Sequence, residues 1–224
     1  MHDVKITLRI LAFLIPLLCS CKPNAEPILK EETYETKTIF FTREDDASPM
    51  GHWKTNIEYP VILNNSPTIK KINASILQMT TEFQCDDQNG DKQFHAEVTL
   101  TNDKIFSLKF SDSWYCPGMP YTKGRTGAIT YNLKTGEEIE INNEIERSMS
   151  VELNKKLNSG LTKALKIKQI EEGCPTESGY FYLTRHDVVF VNKSDDQETL
   201  QCEVEFRISR KEMKKYITEN SALL

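Results

Sequence analysis

Apolar residues recur along this chain with two periods, and the switches between them mark out the elements. Tyr34 to Thr42 is rich in Thr, Ile and Phe and predicts a first strand. Residues 45–51 read as a loop. Trp53 to Leu63 predicts a second strand with Ile57, Tyr59 and Val61 on one face. Pro60 inside it calls for an edge position or a bulge, because proline lacks the N–H that a ladder needs. The period then changes. Ser66 is a good N-cap and Pro67 suits the first helical position. Ile69, Ile72, Ile76, Met79 and Phe83 follow at intervals of three and four, laying one apolar stripe along a helix that ends near Cys85.

Period two returns in Phe94, Ala96, Val98 and Leu100, then in Phe106, Leu108 and Phe110. Asn102-Asp103 between them predicts a hairpin with one buried and one wet face. Residues 111–125 interrupt the alternation with two prolines, two glycines, three aromatics and a cysteine, and read as a loop. Ile129, Tyr131 and Leu133 lead to a Thr135-Gly136 turn, with Ile139 and Ile141 beyond it. Leu153, Leu157, Leu161 and Leu165 predict a second helix over roughly 150–166. Gly160 within it costs about 1 kcal/mol against Ala if exposed. Strands are expected at Phe181–Thr184, Val188–Asn192 and Cys202–Ile208, and Ser209 caps a short terminal helix through Tyr216.

Strand, helix and hairpin thus occur twice. That order predicts an α+β fold of two similar halves, 33–125 and 126–224, each a helix packed on an antiparallel sheet. No Pro/Gly/Ser-rich linker divides them. A hydrophobic share of 38% is enough for one compact domain or two small ones.

The first residues follow a different logic. Lys5 and Arg9 precede an uncharged, mostly apolar run from Ile10 to Leu18, ending in Leu18-Cys19-Ser20-Cys21. Basic region, apolar region and small residue are the order of a secretory signal peptide, here 1–20. The last four residues resemble the bacterial lipobox, Leu-x-small-Cys, which implies diacylglycerol on Cys21. Cys19 is the poorer candidate, with Pro16 where the lipobox wants Leu. Even extended back to Ile6, the run falls short of the roughly 20 residues that span a bilayer. Residues 21–32, with Pro23 and Pro27, read as a lipidated tether. At Lys22 an Asp would resemble the inner-membrane retention signal of enteric bacteria, and its absence leans towards the outer membrane if the host is Gram-negative.

Residues 1–20 carry Lys5, Arg9 and Asp3, so removing them takes the net charge from −5 to −6. A mildly acidic surface of mixed signs argues against nucleic acid and suits a basic partner. Cys85, Cys116, Cys174 and Cys202 remain, and an even count in an exported chain reads as two disulfides. Of the three pairings possible, Cys85–Cys116 with Cys174–Cys202 is favoured, because each pair brackets a predicted hairpin.

Motifs for catalysis are missing. No CxxC or HxxxH spacing offers a metal site. Residues 86–91 are acidic but lack the Glu at position 12 and the flanking helices of a calcium loop. His52, His95 and His186 have no partner that spacing can name. No serine sits in a G-x-S-x-G context, and there is no phosphate loop or dinucleotide fingerprint. Acidic pairs such as Asp86-Asp87, Glu137-Glu138, Glu171-Glu172 and Asp195-Asp196 read as solvated turns. No catalytic residue, metal or cofactor is therefore assigned. The candidate contact surface is the 111–125 loop, through Trp114, Tyr115, Met119, Tyr121, Lys123 and Arg125. Tyr, Trp and Arg are the usual interface anchors, and aromatic faces also stack on sugars. The competing reading makes Trp114 and Tyr115 a core plug between the halves, with Cys116 as a staple.

Three phrases carry a family resemblance: Asn56-Ile-Glu-Tyr-Pro-Val-Ile62 with Ile69-Lys-Lys-Ile-Asn73; Thr130-Tyr-Asn-Leu-Lys-Thr-Gly-Glu137; and Phe181-Tyr-Leu-Thr184 with Val188-Val-Phe190. Over roughly residues 50–217 the chain resembles the paired extracytoplasmic domains of lysozyme-sensing anti-sigma factors and of regions beside peptidoglycan deacetylase domains. The resemblance implies a binding role, with lysozyme as the ligand in the anti-sigma factors. One departure stands out: where the family usually carries a Gly-Gly-Ala-His-like loop, Tyr115 to Ala128 has no histidine and a cysteine has entered.

The expectation is a bacterial cell-envelope lipoprotein with a non-catalytic binding domain, for lysozyme or a peptidoglycan-related ligand. It would be tied to the membrane through lipid and face the periplasm or exterior. The rivals are an accessory lipoprotein of an envelope assembly and, behind it, a peptidoglycan-acting enzyme.

Overall fold

The computed structural model describes residues 33–44, 52–85, 89–169, 174–192 and 202–223. The signal peptide, Cys21 and the tether lie outside the described residues. So do the loop at 45–51 and the pairs Asp86-Asp87, Glu171-Glu172 and Asp195-Asp196.

The architecture is α+β with two sheets. Strands β1 (Tyr34–Glu44) and β2 (His52–Ile62) form an antiparallel pair. Helix α1 (Pro67–Thr81) follows, with the Ser66 Oγ accepting from the Ile69 N–H at 3.2 Å, as its cap position requires. Strands β3 (Asp91–Thr101), β4 (Ile105–Tyr115), β5 (Lys123–Asn132) and the short β6 (Glu137–Glu138) complete a six-stranded sheet in sequence order.

That sheet corrects the expectation of a purely antiparallel one. Chain passing through α1 returns to run beside β2 in the same direction, so β2 and β3 pair in parallel over Thr55–Glu58. A helix between two neighbouring strands produces this crossover. The parallel ladder ends before Pro60, which is why an interior strand tolerates the proline.

Four of the five α1 stripe residues, Ile69, Ile72, Ile76 and Met79, are buried against Ile57, Tyr59, Phe94, Phe106, Leu108 and Tyr131. The helix stops at Thr81, leaving Phe83 beyond it. Asn73 ties α1 to the end of β2: its side chain accepts from the Ile62 N–H and donates to the Ile62 carbonyl, both at 2.9 Å.

The second module is smaller. Short helix α2 (Ile141–Glu144) leads to α3 (Ser150–Ile167), which covers an antiparallel three-stranded sheet of β7 (Ser178–Leu183), β8 (Asp187–Asn192) and β9 (Glu205–Ser209). Leu153 and Leu157 bury against Leu183, Phe190 and Ile208, whereas Leu161 and Leu165 meet Val204. Ser209 caps α4 (Arg210–Met213), which is shorter than expected, through the Glu212 N–H at 3.2 Å.

Strand β7 packs on the face of the large sheet opposite α1. Buried Ser107 on β4 accepts from the Leu183 N–H at 3.0 Å and lies 2.9 Å from the Thr130 hydroxyl. Ala128 joins Tyr180, Tyr182, Val189 and Val191 there. The large sheet runs unbroken to Glu138, so a division after Arg125 passes through β5 rather than between modules.

The disulfides are Cys85–Cys116 and Cys174–Cys202. The first brackets the β3–β4 hairpin and the second the β7–β8 hairpin. Loops of this length stabilise by about 3–4 kcal/mol in the chain-entropy account. No described helix is long and apolar enough to cross a membrane.

Candidate functional site

The 111–125 segment is mostly strand. Residues 111–115 extend β4 and Lys123 already begins β5, leaving a tight connection over 116–122. Cys116 C=O accepts from the Met119 N–H at 3.0 Å, and Gly118 takes φ +86°, where a side chain would be strained. The six residues expected to form one contact patch are thereby separated. Trp114 stacks on Phe83 with ring centroids 4.8 Å apart, and half-buried Tyr115 leans on Trp53 at 6.3 Å. Met119 is half-buried in the turn. Tyr121 stands exposed with the Lys123 ammonium 5.6 Å from its ring centroid.

Arg125 turns inward. Asp112 and Arg125 are direct partners across β4 and β5, and Lys92 projects from β3 on the same face. Lys92 donates to Asp112 and to the Phe83 carbonyl. Arg125 Nε donates to the other Asp112 oxygen at 3.3 Å, and its Nη2 to Glu82 at 2.9 Å. The guanidinium lies 4.1 Å from the Phe83 ring centroid. Lys92 is 5% exposed and Asp112 2%. Burial pushes the Asp112 carboxyl up and the Lys92 ammonium down, each against the pull of its partner. These charges are committed to one another at the end of α1.

The opposite face of the same strands is wet and polar. Glu58, His95, Ser111 and Thr126 are register neighbours across β2 to β5, beside a shallow hollow of about 400 Å³. His95 Nδ1 lies 3.0 Å from Glu58 Oε2. Among the described residues no hydrogen bond joins Ser111 to His95, so the row lacks the contact through which a histidine would activate a serine.

A larger cleft, of about 530 Å³, opens where β6 and α2 face α3 and β7. Its floor is apolar: Ile139, Leu157, Phe181 and Phe190. Its rim is acidic and amide-rich. Glu138 and Glu140 come from β6 and the residues after it, Asn142 from α2, Asn154 and Asn158 from α3, and Glu177 with Tyr180 from the β7 arm. Glu140 accepts from Asn143 at 3.1 Å, yet no described Lys or Arg pairs with Glu138, Glu140 or Glu177. Desolvation, and then the charge of Glu140, raises the Glu138 carboxyl above the ordinary carboxylate range. A perturbed carboxyl in a cleft marks a candidate binding site.

Sequence reading missed this cleft. Glu137-Glu138 reads as a solvated turn, and the signal that was present lay on α3. Asn154 and Asn158 are four residues apart and flank the buried Leu157, placing two amides side by side above the floor. Glu177 arrives from a segment distant in sequence and has no local signature.

The described residues contain no cluster of His, Cys, Asp and Glu able to hold a metal. The sequence matches no family model and no curated protein. Its structure resembles that of a DUF3298 family protein from Pseudomonas aeruginosa PAO1, with a TM-score of 0.63 and 10% identity, over 87% of this chain and 98% of that one. A second likeness is to a DUF3298 family member from Bacteroides fragilis, with a TM-score of 0.58 and 13% identity, over 87% and 97%. At such identities the likeness concerns the fold alone, and the α+β arrangement described above is one that this chain shares with solved proteins of the DUF3298 family.

Proposed function

We propose that the chain is a bacterial cell-envelope lipoprotein, anchored through Cys21, whose folded part is a non-catalytic binding domain. Its ligand is a basic protein of the lysozyme kind or a peptidoglycan-related molecule presenting a cationic group. The observation that carries this reading is the pairing, in one cleft, of an apolar floor with an acidic rim that no described cation neutralises. A lysine or arginine side chain has the matching build, an alkyl stem behind a charged head. The stem would lie on Leu157 and Phe181 and the head would meet Glu138, Glu140 and Glu177. Two disulfides support export to an oxidising compartment. Net negative charge supports electrostatic steering of a basic partner. The resemblance to the ectodomains of lysozyme-sensing anti-sigma factors points the same way.

Calorimetric titration with lysozyme and with purified peptidoglycan fragments, at low and physiological salt, tests the proposal. Saturable binding that persists at physiological salt and weakens about tenfold or more in Glu138→Gln/Glu140→Gln is the expected result. Absence of binding to both ligands would reject it. Binding unchanged by the double substitution would move the site elsewhere, with Tyr121 and Lys123 the next residues to replace.

A further inference from the structure

The outer edge of the large sheet is strand β1, and it is built unlike a protected edge. It runs eleven residues, and no described residue pairs with its outer side. At its centre Phe40 is 65% exposed, and Ile39 and Phe41 are each 37% exposed. Natural edges are usually short, charged at the centre, bulged or covered, because an open ladder beside apolar side chains recruits another strand.

The backbone hydrogen bonds say which groups face outward. Thr33 C=O accepts from the Leu63 N–H at 2.9 Å, and the register continues from Tyr34 opposite Ile62. Odd-numbered residues of β1 therefore bond to β2. Thr36, Thr38, Phe40 and Thr42 present their N–H and C=O groups to the open side.

We propose that two copies of the chain associate through β1, antiparallel about a two-fold axis at Ile39, to form a continuous twelve-stranded sheet. In this register Thr38 and Phe40 of one copy exchange backbone hydrogen bonds with Phe40 and Thr38 of the other. Thr36 and Thr42 do the same. The odd-numbered residues form the closely spaced pairs in which side chains touch. Ile39 meets Ile39 of the second copy, and the Lys37 ammonium meets the Phe41 ring. Glu35 meets Arg43, and by symmetry each of these last two contacts occurs twice.

The charges select that register. A shift that centres the axis on Phe40 sets Lys37 opposite Arg43 of the second copy, twice, and directly opposed like charges destabilise a pair. A shift to Thr38 sets Glu35 opposite Phe41 and Arg43 opposite Thr33, so that no opposite charges face each other. Self-complementarity is what a two-fold interface requires, since the same surface must serve both sides. A foreign strand would need no such match within β1 itself.

Site-specific cross-linking in cells, with the full chain, tests the proposal. Ile39→Cys places two thiols face to face on the axis, within disulfide reach. A reducible covalent dimer is expected. Thr36→Cys should give none, because its two copies lie about 20 Å apart, some six residues along the strand. Chains carrying Lys37→Cys and Phe41→Cys should cross-link to each other when co-expressed. Adding Glu35→Arg to Ile39→Cys should abolish the dimer, and adding Arg43→Glu as well should restore it. Monomer at Ile39→Cys and in the mixed pair, with both native disulfides formed, would overturn the proposal. So would equal dimer at positions 36 and 39, or adducts to a different protein at Ile39→Cys.

Discussion

The molecule holds two groups of carboxylates in opposite states. Asp112 is buried, accepts from Lys92 and Arg125, and shares Arg125 with Glu82. Glu138, Glu140 and Glu177 rim an open cleft, and no described cation pairs with them. The first group has no charge left to offer a ligand, because its field is cancelled within a few ångströms. The second keeps its field, and its Glu138 carboxyl is raised first by desolvation and then by the charge of Glu140. Carboxylates that are already paired in the fold hold structure, and those left unpaired in a concave site are the ones available for recognition.

Replacing Asp112 should separate the two groups most sharply. Asp112→Ala leaves Lys92 buried without a counter-ion and should lower stability by about 3–5 kcal/mol in denaturant titration. Adding Lys92→Met should recover much of that loss, since a missing pair costs less than half of one. Glu138→Gln should change stability by less than about 0.5 kcal/mol while weakening the ligand. If Asp112→Ala abolished binding in the folded protein and Glu138→Gln did not, the roles assigned to the two groups would be reversed.

The Cys85–Cys116 disulfide brings the end of β4 to the segment carrying Glu82 and Phe83, and so supports the buried group. Cys85→Ser/Cys116→Ser should cost about 2–5 kcal/mol and leave cleft binding in the folded fraction intact. A matching loss of cleft affinity would show the two regions to be coupled.

Gly160 tests the wall of the smaller module. Helix propensity alone expects Gly160→Ala to stabilise by up to about 1 kcal/mol. A Cβ at that position would stand 2.4 Å from the Phe206 ring, so the substitution should instead destabilise by about 1–3 kcal/mol. Thermal melts decide the sign.

The smallest effects come from pH. With the folded-state Glu138 carboxyl raised, the folded chain holds that proton more tightly than the unfolded one. Its contribution to stability is present below the ordinary carboxylate value, about 4.3, and is lost as pH rises through the raised one. Affinity for a cation runs the other way, falling as pH drops through the same window. Titrations at a series of pH values should show the two trends with opposite sign, and Glu138→Gln should flatten both.

Much of this was legible in the chain. Ser66-Pro67 and the Ile stripe located α1, the four leucines located α3, and the brackets around two hairpins gave both disulfides. The helices rest on local chemistry or on a period read within twenty residues, while the disulfides, which span 31 and 28 positions, were favoured among three pairings by the hairpins they bracket. The parallel β2–β3 pair was not legible, because the crossover direction depends on where α1 lays the returning chain. Nor was the fate of Trp114 and Arg125. Aromatic and basic residues in a Pro/Gly-rich stretch suit an exposed patch and an internal network equally, and burial beside Phe83 and Asp112 chose the second.

Most element types and their apolar faces follow from this sequence alone, because neighbouring residues decide them, whereas the cysteine pairing was favoured among three and decided by the fold. Register across strands, the neutralisation of Lys92, Asp112 and Arg125, and the meeting of Glu138 with Glu177 over one floor were settled by packing. They join residues tens of positions apart, whose contact no local pattern encodes, and whose charges acquire meaning only once water has been removed from around them.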